Sequence, residues 1–270
     1  MKSSIILIVI FILLFSVVLL MIEDKMIYFP AKYPEGTWNP GDYGVVVEDA
    51  YFKTDDGLTL HGWFVPSDEN KITLLWFHGN AGNLSHRLEN IKLLHDLNIN
   101  VFIFDYRGYG RSEGKLPSEK TIYIDSRAAY EYLIQQKKIP KGEIFFFGRS
   151  LGGAIAVEMA RELGCPGLIL ESVFTSAKEM AGRMFPFLPL KYFIRTKFKS
   201  IEKIKNIACP KLFIHGNRDN VVPFKLGRKL FEAAPEPKEF YEIDGADHND
   251  TYIIGGNEYF RVINQFLRKK

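Results

Sequence analysis

From residue 73 onward the chain alternates short runs that are apolar throughout with longer stretches of helix formers, and few architectures accommodate that order. The runs 73–77, 101–104 and 144–147 precede helical stretches at 84–97, 118–136 and 151–163, and further runs follow at 167–170, 212–214 and 239–243. A strand that is apolar at every position has both faces buried, so helices must cover the sheet on both sides. The expectation is an α/β fold with a mostly parallel central sheet. Residues 45–53 and 58–65, separated by the turn Thr54-Asp55-Asp56-Gly57, supply its first strands.

One junction in this series carries a chemical signature. Phe147-Gly148-Arg149-Ser150-Leu151-Gly152-Gly153 sets a serine between a strand and a helix, with glycine two residues to either side. A turn tight enough to expose Oγ leaves no room for side chains at those two positions. A pentapeptide of this form also arises by chance as a plain glycine-rich turn, so Ser150 becomes a candidate nucleophile only through the rest of the chain. Its hydroxyl needs a histidine to take the proton and a carboxylate to hold that histidine's tautomer. Both follow downstream. Asp219 lies in the loop beyond the strand at 212–214, and His248 lies in Gly245-Ala246-Asp247-His248-Asn249, ahead of the final helix. Asp247 is a rival acid, although neighbouring residues in a tight loop rarely aim at each other's side chains. The order Ser150, Asp219, His248 is that of the nucleophile-elbow hydrolases. His78 and His215, each before a glycine at a strand end, read as loop braces, and the remaining histidines as strand or surface-helix residues.

With these motifs in place, the chain resembles the alpha/beta-hydrolase superfamily over nearly everything after about Asp42. Trp76-Phe77-His78-Gly79-Asn80-Ala81-Gly82-Asn83 matches the family's H-G loop, and Asp105-Tyr106-Arg107-Gly108-Tyr109-Gly110-Arg111-Ser112 its D-x-R-G-x-G-x-S turn. The H-G-N-A-G-N run and the N-terminal apolar stretch are similar to the membrane-anchored bud-emergence group, a branch also similar to prolyl-oligopeptidase-type peptidases. The resemblance implies a hydrolase of acyl bonds that needs no cofactor. It also implies an oxyanion hole made by the backbone N–H of Leu151 and that of Asn80, with Ala81 the neighbouring alternative. Residues 173–208 are inserted where the family commonly carries a helical cap. Met184, Phe185, Phe187, Leu188, Leu190 and Phe193 there suit an apolar lid over the serine, against the plainer reading of two helices completing the core. Cys165 and Cys209 precede strands that the family makes neighbours; two buried thiols are favoured over a disulfide.

The N-terminus sets the compartment. Residues 5–22 are apolar apart from Ser16, and at about 1.5 Å per residue they extend roughly 27 Å, enough to cross a bilayer. Leu19-Leu20-Met21-Ile22-Glu23-Asp24 offers no small-residue cleavage site, so an anchor is favoured over a signal peptide. The expected division is a transmembrane anchor at 1–24, a juxtamembrane segment at 25–42 packed on the domain, and a catalytic domain at 43–270. Lys2 ahead of the span favours a single-pass protein with the catalytic domain on the non-cytoplasmic side, and Lys25 nearly balances it. A net charge of +3 with dispersed basic residues gives no footprint for nucleic acid. No His, Cys or carboxylate spacing suggests a metal site. The reading is a membrane-anchored serine hydrolase of carboxylic esters or thioesters, with a small-molecule or lipid-like acyl substrate or an acylated protein as partner. The alternatives are a serine peptidase and a non-catalytic membrane scaffold of the same fold.

Overall fold

The computed structural model describes residues 10–12, 15, 17–18, 23–67, 71–187 and 189–269. The span expected over residues 5–22 falls mostly outside them. Among the described residues no helix is long and apolar enough to cross a membrane.

Eight strands form one sheet: β1 (Glu48–Lys53), β2 (Thr59–Val65), β3 (Thr73–Phe77), β4 (Asn100–Phe104), β5 (Ile144–Arg149), β6 (Leu168–Glu171), β7 (Lys211–Gly216) and β8 (Lys238–Ile243). Their spatial order is β1-β2-β4-β3-β5-β6-β7-β8. The β1–β2 and β2–β4 pairs are antiparallel and every other pair is parallel. The physical cause is visible in β3, where every residue is buried. Side chains alternate between the two faces, so Leu75 and Phe77 join one core while Leu74 and Trp76 join the other.

Helices α2 (Leu88–His95), α3 (Glu119–Gln135), α4 (Leu151–Leu163), α7 (Phe224–Ala233) and α8 (Thr251–Arg268) cover the two faces. Helix α3 begins at Ser118, whose hydroxyl accepts from the Thr121 N–H while the Thr121 hydroxyl returns to the Ser118 N–H. The helical stretch expected over 84–97 is shorter and composite, a 3₁₀ turn at Leu84–Arg87 followed by α2.

Register brings the functional loops together. Phe77 pairs with Gly148, Arg149 with Glu171, and Gly216 with Ile243. The carboxyl ends of β3, β5, β6, β7 and β8 therefore meet along one edge, and the loops leaving that edge carry Asn80, Ser150, Asp219 and His248.

Two segments close over that edge. The N-terminal segment starts with the short helix α1 (Glu23–Ile27) and continues as an extended strip packed on the domain. Phe29 and Ala31 donate their N–H groups to Asn80 and Gly82, and Ala31 accepts from Gly110 N–H. The strip thus ties the H-G loop to the turn after β4. The cap contains α5 (Ala177–Met184), α6 (Ser200–Lys203) and two 3₁₀ turns. Its return segment is held from outside by two carboxylates: Glu23 accepts from Arg195 N–H and Thr196 N–H, and Glu119 from Lys197 N–H and Phe198 N–H. Cys165 and Cys209 are half-buried free thiols with sulfurs 3.5 Å apart.

Candidate active site

Ser150 sits at φ 54° and ψ −120°, left-handed backbone that a serine adopts only under constraint. Such a conformation costs about 1–3 kcal/mol. The adjoining helix offsets it: residues 151–160 of α4 are all buried, and each large apolar side chain among them contributes about 1.5–3 kcal/mol. The flanking glycines are required by contact. A Cβ on Gly148 would collide with Gly152 O and stand 2.6 Å from Gly153 Cα, and one on Gly152 would collide with Phe77 O.

His248 Nε2 lies 3.1 Å from Ser150 Oγ, and His248 Nδ1 lies 2.8 Å from Asp219 Oδ2. Burial raises the Asp219 carboxyl, but hydrogen bonds from His215 and His248 and the amides of its own loop outweigh that effect and hold it well below the usual carboxylate range. An ionised carboxylate only accepts, so the His248 proton belongs on Nδ1 and the Nε2 lone pair faces the serine hydroxyl. The second Asp219 oxygen accepts from Val221 N–H at 3.0 Å and Val222 N–H at 2.7 Å. Asp247, the rival acid, does not reach the ring. It accepts from Asn220 N–H and Asn220 Nδ2 and from the His248 backbone N–H, bracing the loop.

Leu151 and Asn80 line the same apolar cavity as Ser150. Leu151 is the first residue of α4, where a backbone N–H has no intrahelical acceptor. Asn80 is fixed on its other groups: its carbonyl accepts from Tyr109 OH and Phe29 N–H, and its side-chain amide donates to Ile27 O. Among the described residues neither N–H has a protein acceptor.

That cavity, about 240 Å³, runs from Ser150 between the cap and α1. Its wall departs from the sequence expectation. Met184 and Phe185 contribute, but Phe187 is 96% exposed and Phe193 is half out in solvent, and neither lines the cavity. Leu188 and the Leu190 side chain lie outside the described residues. Met26, Ile27 and Phe29 of the N-terminal segment take part instead, with Met180, Ile194 and Phe198.

His215 braces its loop as expected, with an added contact to the acid, and two further supports, Arg149 and Glu171, gave no sequence signal. His215 Nε2 is 3.2 Å from Asp219 Oδ2 and 2.8 Å from Val222 O, a second hydrogen bond to the acid. Arg149 Nε is 3.2 Å from Glu171 Oε1, and its Nη2 donates to His248 O, tying the elbow to the histidine loop. Glu171, fully buried, also accepts from Tyr259 OH and Thr251 Oγ1. The pairing of Arg149 with Glu171 follows from register.

An elbow serine, a buried histidine and a buried aspartate thus meet at the carboxyl edge of this sheet, the arrangement a nucleophile-elbow hydrolase requires. Residues 68–202 match the family model described as serine aminopeptidase, S33. The chain is 36% identical to protein bem46 of Schizosaccharomyces pombe, over 90% of this chain and 85% of that one. It is 35% identical to the alpha/beta hydrolase domain-containing protein WAV2 of Arabidopsis thaliana, over 92% and 88%. Esterase Pf2001 of Pyrococcus furiosus shares the fold with a TM-score of 0.75 at 21% identity, covering 90% of this chain and 97% of that one. The chain belongs to the alpha/beta-hydrolase superfamily.

Proposed function

We propose that this protein is a membrane-anchored serine hydrolase that cleaves carboxylic esters or thioesters through an acyl-enzyme. The observation that carries the reading is the relay from Asp219 through His248 to Ser150 at the floor of an apolar cavity. His248 Nε2 takes the Ser150 proton as Oγ attacks the acyl carbon, and the oxyanion is held by the N–H groups of Leu151 and Asn80. The leaving alcohol or thiol departs with the proton from Nε2. Water, deprotonated by the same nitrogen, then releases the acid. Each N–H aimed at the oxyanion is worth about 10²-fold to 10³-fold in rate.

The description of the matching family model raises a second reading, an aminopeptidase. Electrostatics favour the first. A peptide amino terminus is an ammonium and needs a free carboxylate, and Glu23, the one carboxylate on the apolar cavity among the described residues, is committed to two cap amides. The apolar stretch at 5–22, ending where α1 begins to line the cavity, supports anchoring beside a lipid-borne or otherwise apolar acyl group.

A fluorescent phosphonate should label Ser150, and Ser150→Ala should abolish both labelling and ester turnover, with turnover falling by up to about 10⁶-fold. Labelling that persists at another serine overturns the assignment. Full-length protein should remain with membranes after alkaline carbonate, and a form starting at Lys25 should be released. Protease added to intact cells should reach the catalytic domain, and protection of that domain would reverse the orientation.

A further inference from the structure

A second cavity, also about 240 Å³, opens on the other side of the candidate nucleophile. Ser150, Asn80 and Val221 border both cavities, so the two meet at the reacting oxygen. Their chemistry is opposite. The first is walled by methionine, isoleucine and phenylalanine; the second carries the guanidinium groups of Arg87 and Arg149, with His248 and Asn249 beside them.

The charge in this second cavity is not balanced. Arg149 has a counter-charge in the buried Glu171, 3.2 Å away. Arg87 donates Nη2 to Ala81 O, and among the described residues no carboxylate comes within 4.0 Å of it. Asp105 attracts it only from farther off. Glu89 of the adjoining cleft accepts from Tyr252 OH. Burial first, and then the nearby positive charge of Arg149, bring the Arg87 pKa down to about 10. Two guanidiniums facing one partly enclosed cavity with one counter-ion between them leave a position that an anion would neutralise. Arginine forks fit phosphate and carboxylate oxygens in pairs. Arg87 and Arg149 also line the cleft that continues outward, about 410 Å³, which gives room for the remainder of such a group.

We infer that this cavity is a leaving-group subsite for an anion: the substrate is an acyl ester or thioester whose alcohol or thiol part bears a phosphate or carboxylate seated between Arg87 and Arg149, while its acyl chain fills the apolar cavity. The inference rests on the hydrolase reading above. The bond from Ser150 Oγ to the acyl carbon forms as the bond to the leaving oxygen or sulfur breaks. That atom keeps the electron pair and takes the proton from His248 Nε2, and the anionic alcohol or thiol leaves through the outer cleft. One water completes the balance: its hydroxyl bonds to the acyl carbon as the bond to Ser150 Oγ breaks, and its proton passes through His248 Nε2 to Ser150 Oγ.

Two matched pairs test this on the full-length protein in detergent: 1-butyrylglycerol against 1-butyrylglycerol 3-phosphate, and ethyl butyrate against butyryloxyacetate. The anionic member of at least one pair should show the higher kcat/KM by about ten-fold to a hundred-fold, the range of a hydrogen bond to a charged group. The preferred pair identifies the anion as phosphate or carboxylate. Arg87→Met should bring that ratio close to one, and methyl phosphate or acetate should inhibit neutral-ester turnover competitively in the natural protein. If the natural protein hydrolyses both members of both pairs equally and neither small anion inhibits it, the subsite is refuted and the hydrolase reading stands. If Ser150 takes no phosphonate and no ester is cleaved, the hydrolase reading itself fails. The measurements on the natural protein decide the matter even if Arg87→Met does not fold.

Discussion

The helix that follows Ser150 and the helix that lies over it are built on opposite terms. In α4 residues 151–160 are all buried, whereas α5 of the cap has no buried residue. The first is fixed by close packing against the sheet, where any change in side-chain volume is felt. The second is held by polar ties, Lys229 Nζ to Glu179 and Thr175 Oγ1 to Glu179, together with the carboxylates of Glu23 and Glu119 that pin the return segment. The frame around Ser150 is thus held by packing, and the cap's part of the cavity wall by a few polar ties.

That contrast can be tested most sharply at the acid. Asp219→Asn should lower kcat by about 10⁴-fold, because the amide no longer holds the proton on Nδ1 and the Nε2 lone pair turns away from the serine. Asp247→Asn should leave turnover within a few-fold, since Asp247 braces Asn220 and does not reach the imidazole. A reversed pattern in steady-state kinetics would move the acid to Asp247.

A smaller effect is expected in the cap. Each methylene that enters the apolar cavity should contribute about 0.8 kcal/mol, or about four-fold in kcat/KM. Activity along a series of p-nitrophenyl esters should climb and then level off. Phe185→Ala, which opens the cavity wall, should flatten the climb, and Phe187→Ala should not, because Phe187 faces solvent. Equal slopes in all three proteins would remove the cap from acyl recognition.

The smallest effect concerns acid stability. The Asp219 carboxyl has a lower pKa in the folded chain than in the unfolded one. Its stabilisation is therefore present above the unfolded value, about 3.9, and is lost as pH falls through the folded value. Urea midpoints should fall more steeply below about pH 4 in the natural protein than in Asp219→Asn. Parallel curves would show that the aspartate's hydrogen bonds do not stabilise the fold.

Much of the architecture was legible in the chain. β3 and α4 begin and end where the patterns at 73–77 and 151–163 place them, because a continuous apolar run and a glycine-bounded elbow are local signals. Strand ends elsewhere move by one to three residues, where polar residues such as Arg149 and Glu171 continue a ladder that hydrophobicity does not mark. The cap was the least legible part. Its aromatic residues were expected to point inward as a group, yet whether Phe185 or Phe187 faces the serine depends on a turn with no periodic pattern behind it.

The sequence alone determined the candidate site: three residue types in a fixed order, each at the end of an apolar run, and glycines where a Cβ has no space. Tertiary structure decided what surrounds the serine. Contacts between Arg149 and Glu171 and between Glu23 and Thr196 of the cap join residues 22 and 173 positions apart, and only the register of the sheet and the path of the N-terminal strip bring them within hydrogen-bonding distance. The physical reason is range. Propensity and periodicity act over one or two turns of chain, whereas the shape and charge of a cavity come from side chains delivered by several separate segments.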